Sequence, residues 1–453
     1  MAAAHALRIE GFLKEGWQRS AAALPGARFA SMRGLLAHPK NWLVFRDLWG
    51  GIFFVICCIV FLATAVLPEL SGEKTKDYRL WYKVGRAVLD GRDIYQDGSF
   101  EFLYLPFTAI LLAPFTLLGK AAMYAILCAI NMGAWALTIE STGRLCSFAR
   151  LSRVTVWLPS VLLIPLIAVI FDLGQFNILL LALILPGFLA IGRNRSGLGG
   201  VLIGLAVALK PFPVTILPYL LVRKEFKAAA AMTLAFSFFT LAIPAVVLGP
   251  ERTASSLRQW SAAMLTADEQ HGLGQRPSSS WNYKNQSLIA LVHRLTRPVE
   301  SARSTRPEDQ IYVNAWNLGF DGADMAFAVI AGAIGLAFVT FLLKTDYSRP
   351  EVRACELGIL LNFVALASPL ARDYYYVWWL FPISVLVAFA MSPRNGARRG
   401  AWIPIAFAAC CIALNYSSFK IFPALGCMIW GVAILNIALA RRALALSASP
   451  RSL

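Results

Sequence analysis

The sequence is short of charge, and shortest of acid. Only 15% of its 453 residues are charged, with 25 Asp and Glu against 42 Lys and Arg, a net of +17. With 58% hydrophobic residues and a mean hydropathy of +0.62, too little polar surface remains to clothe two or three soluble domains, which excludes a soluble globular class. The eight cysteines form no C-x-x-C pair, and seven of them lie inside apolar runs. They read as small hydrophobes, not as a disulfide framework or a zinc site. Basic stripes and RNA-binding aromatic motifs are also missing, so the positive balance does not indicate nucleic acid. No repeat at a fixed period is evident. The first apolar run begins after 48 polar and basic residues, too far in for a cleavable secretory signal, and is read as an uncleaved anchor.

Long apolar runs are what the sequence does have. Taking about 20 apolar residues per bilayer crossing, spans are expected at 49–67, 121–141, 154–171, 175–191, 226–248, 322–343, 354–370, 374–391, 402–416 and 420–440. Three shorter stretches, 105–118, 197–209 and 211–222, are interrupted by proline or too brief to assign by length. The excess of Lys and Arg on cytoplasmic loops decides how to count them. If 105–118 enters and leaves the outer side without crossing and the other two cross, twelve spans result with both ends inside. The inner side then holds 24 of the 42 basic and 8 of the 25 acidic residues, while the outer side is left nearly neutral. Other parities put Arg223, Lys224 and Lys227, or Arg394, Arg398 and Arg399, on the wrong face.

This gives an all-α polytopic membrane protein with a cytoplasmic segment 1–48, a transmembrane domain 49–440 and a cytoplasmic tail 441–453. Two outer segments, 68–120 and 249–321, are too long for plain connectors. In the first, Arg79, Lys83, Arg86 and Asp90 fall on one helical stripe opposite Leu80, Trp81, Val84, Ala87 and Val88, so an amphipathic helix in the membrane interface is expected, stopping at Gly91. Asp77 stands at its start. Either it caps the helix or it is a carboxylate held at the membrane surface as a general base. Lys210-Pro211 falls between two short spans, where an ammonium either snorkels to the interface or meets an anion. Ser368-Pro369-Leu370-Ala371-Arg372-Asp373 followed by Tyr374-Tyr375-Tyr376-Val377-Trp378-Trp379 reads as an outer turn, its tyrosines most simply an aromatic belt.

Taken together, Asp77-Tyr78-Arg79-Leu80-Trp81-Tyr82, Gly91, Tyr95, Tyr104-Leu105-Pro106, Gly174-Gln175-Phe176-Asn177, Gly204 to Pro211, Asn285-Gln286-Ser287-Leu288 and Ser368-Pro369 occur in an order that resembles glycosyltransferase family 87 (domain of unknown function 2029), the polyprenol-phosphate-mannose-dependent mannosyltransferase group, over roughly 70–390. The resemblance implies a GT-C fold and an inverting transferase in the bacterial plasma membrane. Such an enzyme takes a hexose such as mannose from a polyprenyl-phosphate donor to a lipid or glycan acceptor on the extracytoplasmic face. It also implies that the essential acid is Asp77. Members often carry His just after the late Ser-Pro, where this chain has Arg372-Asp373-Tyr374, so a role carried by that His has no counterpart here.

Inverting transfer needs a base for the acceptor hydroxyl and positive charge for the departing phosphate. Asp77 is the expected base, and Lys210, Arg79 and Arg372 the expected phosphate partners. Tyr82, Tyr95, Tyr104, Gln175, Asn177, Asn285, Gln286 and Asp373 are the candidate substrate contacts. Since Lys and Arg suffice for a phosphate monoester and the outer segments hold no D-x-D or His/carboxylate cluster, no metal and no cofactor are expected. Two other classes fit the composition. A transporter or flippase would show inverted repeats and midplane charges. A ligase using a pyrophosphate-linked donor, similar to the O-antigen ligases, would want a larger basic outer loop.

Overall fold

Backbone in hydrocarbon must satisfy its own hydrogen bonds, and apolar runs with few interior charges do so as helices. A computed structural model describes residues 48–72, 76–95, 102–148, 153–391 and 398–449, and every regular element among them is helical. Six helices are long and apolar enough to cross a membrane: Leu48–Leu70, Lys120–Leu145, Phe226–Leu248, Gly319–Lys344, Asp373–Met391 and Cys427–Ala448. Thr155–Leu162 and Ile164–Leu173 make a seventh candidate, bent by 61°. Asn177–Gly192, Ser196–Leu209, Phe212–Val222 and Gly400–Asn415 are apolar but shorter. The N-terminal segment before Leu48 and the basic segment at Arg394 lie outside the described residues.

Two observations explain how the short helices sit. Gly200 and Gly204 lie one turn apart on Ser196–Leu209, and a Cβ on either would run into the carbonyl oxygens of Ala228 or Met232. Their helix therefore lies directly against the backbone of Phe226–Ser237, the small-residue packing common between helices in lipid. At about 1.5 Å per residue, the 14-residue helix Ser196–Leu209 covers about 21 Å, less than a hydrocarbon core of about 30 Å. It ends at Lys210-Pro211, where the proline disfavours helical geometry in the residue before it, and Lys210 takes an extended backbone (φ −152°, ψ 116°).

The helix ends sort to two poles of the bundle. At one, Arg223 Nε donates to Glu356 Oε2 (2.9 Å) and its Nη2 to Thr345 Oγ1 (2.7 Å), Asp346 N donates to Ser447 Oγ (2.9 Å), and Arg442 stacks over Phe389 (4.9 Å). These contacts gather the segments around 223, 345, 356, 389 and 442–447. At the other pole lie the Asp77–Leu89 helix and the turns at 174, 210, 285, 369 and 423. The 105–118 stretch runs beneath the Asp77–Leu89 helix, with Thr116 packed against Gly85 and Tyr104 against Trp81.

Two sequence expectations are corrected. The apolar stripe of Asp77–Leu89 does not face lipid. Tyr78, Trp81, Val84 and Ala87 are buried in protein, because Tyr78 Oη donates to Phe171 O (2.8 Å) and Trp81 Nε1 to Gly174 O (2.8 Å), drawing the helix onto the bundle. Nor do Tyr374 to Trp379 form a belt. All six residues are buried, since Asp373–Trp379 winds as a tight 3-10 turn inside the bundle and its Trp378 Nε1 donates to Asn177 O (2.9 Å). The last helix also runs to Ala448, beyond the boundary expected at 440.

Candidate functional site

The site begins with a fold of the backbone at Gly174. Its φ of +69° is left-handed, and the Tyr78 ring lies where its Cβ would be, so glycine is required on both counts. The turn ends the Ile164–Leu173 helix and delivers Gln175 and Asn177 to the same level as Asp77.

Asp77 is the first residue of its helix and makes no capping bond through Lys76, the residue before it. Its Oδ2 instead accepts from Gln175 Nε2. Gln175 is itself fixed, since Tyr104 Oη donates to its Oε1 (2.8 Å) and Asn131 Nδ2 to its carbonyl oxygen (3.0 Å). Burial raises the Asp77 pKa above the ordinary carboxylate range, against the hydrogen bond from Gln175 and the positive charges of Arg372, Arg276 and Lys210. The result is a carboxylate made more basic by its surroundings and aimed by an oriented amide.

Lys210 sits in the helix break, 8% exposed. Its Nζ donates to Asn177 Oδ1 (3.1 Å) and lies over Tyr375 (4.1 Å) and Tyr104 (5.1 Å). Burial pushes its pKa down to about 7, opposed by the Asp77 charge. An ammonium held on aromatic faces beside a carboxylate is not snorkelling.

These groups border a cavity of about 850 Å³. Asp77, Arg79, Lys210 and Arg372 all line it, as do Tyr104, Gln175 and Asn285. The other candidates stand back from it. Asn177 supports Lys210 from behind, and Tyr95 Oη donates to Tyr104 O (2.7 Å). Tyr82 packs on the buried cluster, with Lys120 over its ring (6.0 Å), and Asp373 accepts from Tyr416 Oη (2.8 Å). Gln286 Nε2 donates to Pro423 O (2.7 Å) and Tyr283 O (2.5 Å).

Asn285 lines the wall but works as a clasp. Its amide donates to Ser280 O (2.8 Å) and Pro369 O (3.0 Å), and its Oδ1 accepts from Ser287 N and Ala371 N (both 3.1 Å). With both sides of the amide engaged, it ties the 249–321 segment to the Ser368-Pro369 turn and so holds Arg372 at the cavity. Trp260 Nε1 closes the roof by donating to Leu103 O (3.0 Å).

Sequence reasoning missed Arg276 and Arg303, which also line the wall. Both lie in irregular segments, after Gly272-Leu273-Gly274-Gln275 and between Arg297 and Arg306, where no periodicity points a side chain anywhere. A second hollow of about 370 Å³ opens between Phe212–Val222, Gly319–Lys344 and Pro350–Leu366. Its lining is almost wholly apolar, including Phe338, Leu342, Leu360 and Phe363, and it meets the first cavity at Ala367, which borders both.

Comparison with known proteins follows the same outline. The family model for glycosyltransferase family 87 matches residues 102–369, a stretch that includes Tyr104, Gln175, Lys210, Arg276 and Asn285 but not Asp77 or Arg372. A polyprenol-phosphate-mannose-dependent alpha-(1-2)-phosphatidylinositol mannoside mannosyltransferase of Mycolicibacterium smegmatis is 25% identical over 355 residues, covering 72% of this chain and 71% of that protein. The Mycobacterium tuberculosis protein of the same description is 26% identical over 364 residues, covering 72% and 75%. No solved structure matches the chain.

Proposed function

The chain belongs to glycosyltransferase family 87, and we propose that it moves a hexose, mannose foremost, from a polyprenyl-phosphate carrier to a lipid or glycan acceptor at the extracytoplasmic end of a twelve-crossing bundle of GT-C type. The observation that carries this is the pairing of one desolvated carboxylate, Asp77, with Lys210, Arg276 and Arg372 in a cavity that runs at Ala367 into an apolar groove. A lipid-phosphate donor needs both halves, since its chain is apolar and its leaving group anionic. The donor of the two mycobacterial relatives, as their descriptions name it, has this chemistry.

In the proposed step, Asp77 takes the proton of the acceptor hydroxyl as its oxygen bonds to the anomeric carbon. The bond from that carbon to the phosphate oxygen breaks, and its electron pair leaves on the polyprenyl phosphate, which Lys210, Arg276 and Arg372 stabilise. Gln175, held by Tyr104, keeps the carboxylate in line. No metal is required for this, because guanidinium and ammonium groups neutralise the leaving phosphate.

Membranes containing the protein are expected to transfer labelled mannose from polyprenyl-phosphate mannose, with or without EDTA. Transfer only from a nucleotide sugar would overturn the donor, and loss of activity on chelation would overturn the metal-free step.

A further inference from the structure

A guanidinium buried in protein is costly unless its donors are met, and charge-assisted bonds are the strong way to meet them. Arg294, on the Leu288–Thr296 helix, is wholly buried and forms no ion pair among the described residues. It bonds to backbone instead. Its Nε donates to Ala424 O (2.8 Å), and its Nη1 to both Asn282 O (3.0 Å) and Asn285 O (2.7 Å). Asn282, Lys284 and Asn285 line the large cavity, whereas Arg294 does not. One cation thus fixes two carbonyls of the 282–285 turn, and a third at Ala424, from outside the wall.

What the turn holds in its grip is Ala371. Asn285 Oδ1 accepts from Ala371 N (3.1 Å), and Gln286 N donates to Ala371 O (2.7 Å), so both polar groups of that residue are taken by neighbours at the end of the turn. Tyr376 Oη secures the same place by donating to Gln286 O. Ala371, Gln286 and Tyr376 are as fully buried as Arg294. The residue after Ala371 is Arg372, which lines the cavity and whose charge acts on Asp77. A shift of the 282–285 turn is therefore passed through a buried chain of hydrogen bonds to a cation of the site. Arg294→Lys keeps the charge but replaces the planar fork by a single nitrogen, which cannot serve the turn and Ala424 in the same geometry.

We infer that Arg294 is a positioning residue of the Asp77 site: by holding the 282–285 turn it sets, through Asn285, Gln286 and Ala371, where the Arg372 guanidinium meets the donor phosphate. This rests on the transferase reading and adds to it a residue that acts without touching substrate. Its helix and the turn at 371 are 77 residues apart in the chain, and the turn between Trp281 and Ser287 joins them.

The test measures binding of farnesyl phosphate and of farnesol to the detergent-solubilised full chain, for the unaltered protein, Arg294→Lys, Arg372→Ala and the double variant. Each single substitution should weaken farnesyl phosphate by about tenfold or more, the usual worth of a hydrogen bond to a charged group, and leave farnesol unchanged. The double variant should bind farnesyl phosphate no more weakly than Arg372→Ala, because substitutions along one chain of contacts do not add. Equal weakening of farnesol would make Arg294 a fold residue only. Losses that multiply, or that Arg372→Ala does not share, would mean that it acts apart from Arg372. Either result, or unchanged farnesyl phosphate binding in Arg294→Lys, overturns the inference. If Arg294→Lys does not elute as the unaltered protein does, Tyr376→Phe, which removes only the hydroxyl bonded to Gln286 O, tests the link at Gln286 by the same readings. Because binding needs no turnover, it is read separately from transfer of labelled mannose, whose absence beside the expected binding pattern would count against the transferase reading alone.

Discussion

The two poles of the bundle each place a carboxylate beside cations, and they use it in opposite ways. Glu356 is wholly buried and closed in, its oxygens accepting from Arg223, from Thr345 Oγ1 (2.6 Å) and from Tyr219 Oη (3.2 Å). Asp77 is only partly buried, accepts from Gln175, and borders a cavity whose cations act on it without an ion pair shorter than 4 Å among the described residues. A carboxylate whose valences are all met holds helices together. One that is desolvated, oriented and left facing open volume keeps its basicity for a reacting proton.

The largest effects should separate the poles. Asp77→Asn is expected to lower transfer by about 10²–10⁴-fold, the usual worth of a general base, with elution volume and melting temperature unchanged. An active Asn variant would remove Asp77 from the reaction. Glu356→Ala should do the reverse, leaving Arg223 unpaired at a cost of about 3–5 kcal/mol and lowering the melting temperature, while the turnover of whatever remains folded stays near normal. If Glu356→Ala cut turnover without destabilising the protein, the contrast would be wrong.

Smaller effects sharpen the pole that holds Asp77. Lys210→Ala is expected to raise the KM for the polyprenyl-phosphate donor by about tenfold, about 1.4 kcal/mol, and to change the KM for acceptor little; unaltered donor dependence would place the phosphate elsewhere. The pH profile should be bell-shaped. The carboxylate form of Asp77 is lost as pH falls through a pKa raised above the usual range, and the Lys210 ammonium is lost as pH rises above about 7. Gln175→Leu removes a bond to the charged form, so the acidic limb should shift to higher pH by less than about one unit. A shift the other way would show that Gln175 does not support the carboxylate.

Much of this was legible along the chain because it is written locally. The stripe Arg79-Lys83-Arg86-Asp90 and the stop at Gly91 follow from 3.6-residue periodicity and backbone sterics, and the helix forms at Asp77–Leu89 as read. Lys210-Pro211 marks a break for the same reason. The destination of the opposite, apolar stripe was not local. Whether Trp81 meets lipid or the carbonyl of Gly174 depends on a segment 93 residues away. Likewise the tyrosines at 374 and 375 read as a belt because every interface favours them, and only the turn's position inside the bundle makes them walls of the site and, for Tyr375, a platform for Lys210.

Charge shows the division most clearly. The sequence alone determined a chain of apolar helical runs and, on the expected twelve-crossing count, an excess of Lys and Arg on one set of loops with a nearly neutral balance on the other. Only the tertiary structure decided which of these charges meet, with eight cations and one carboxylate lining the cavity while Asp268, Glu269 and Glu300 are engaged away from it. A sum over residues carries no direction. Which side chain faces a hollow is fixed by where separate turns meet, and Asp77, Gln175, Lys210, Arg276 and Arg372 meet only after the helices between them have packed.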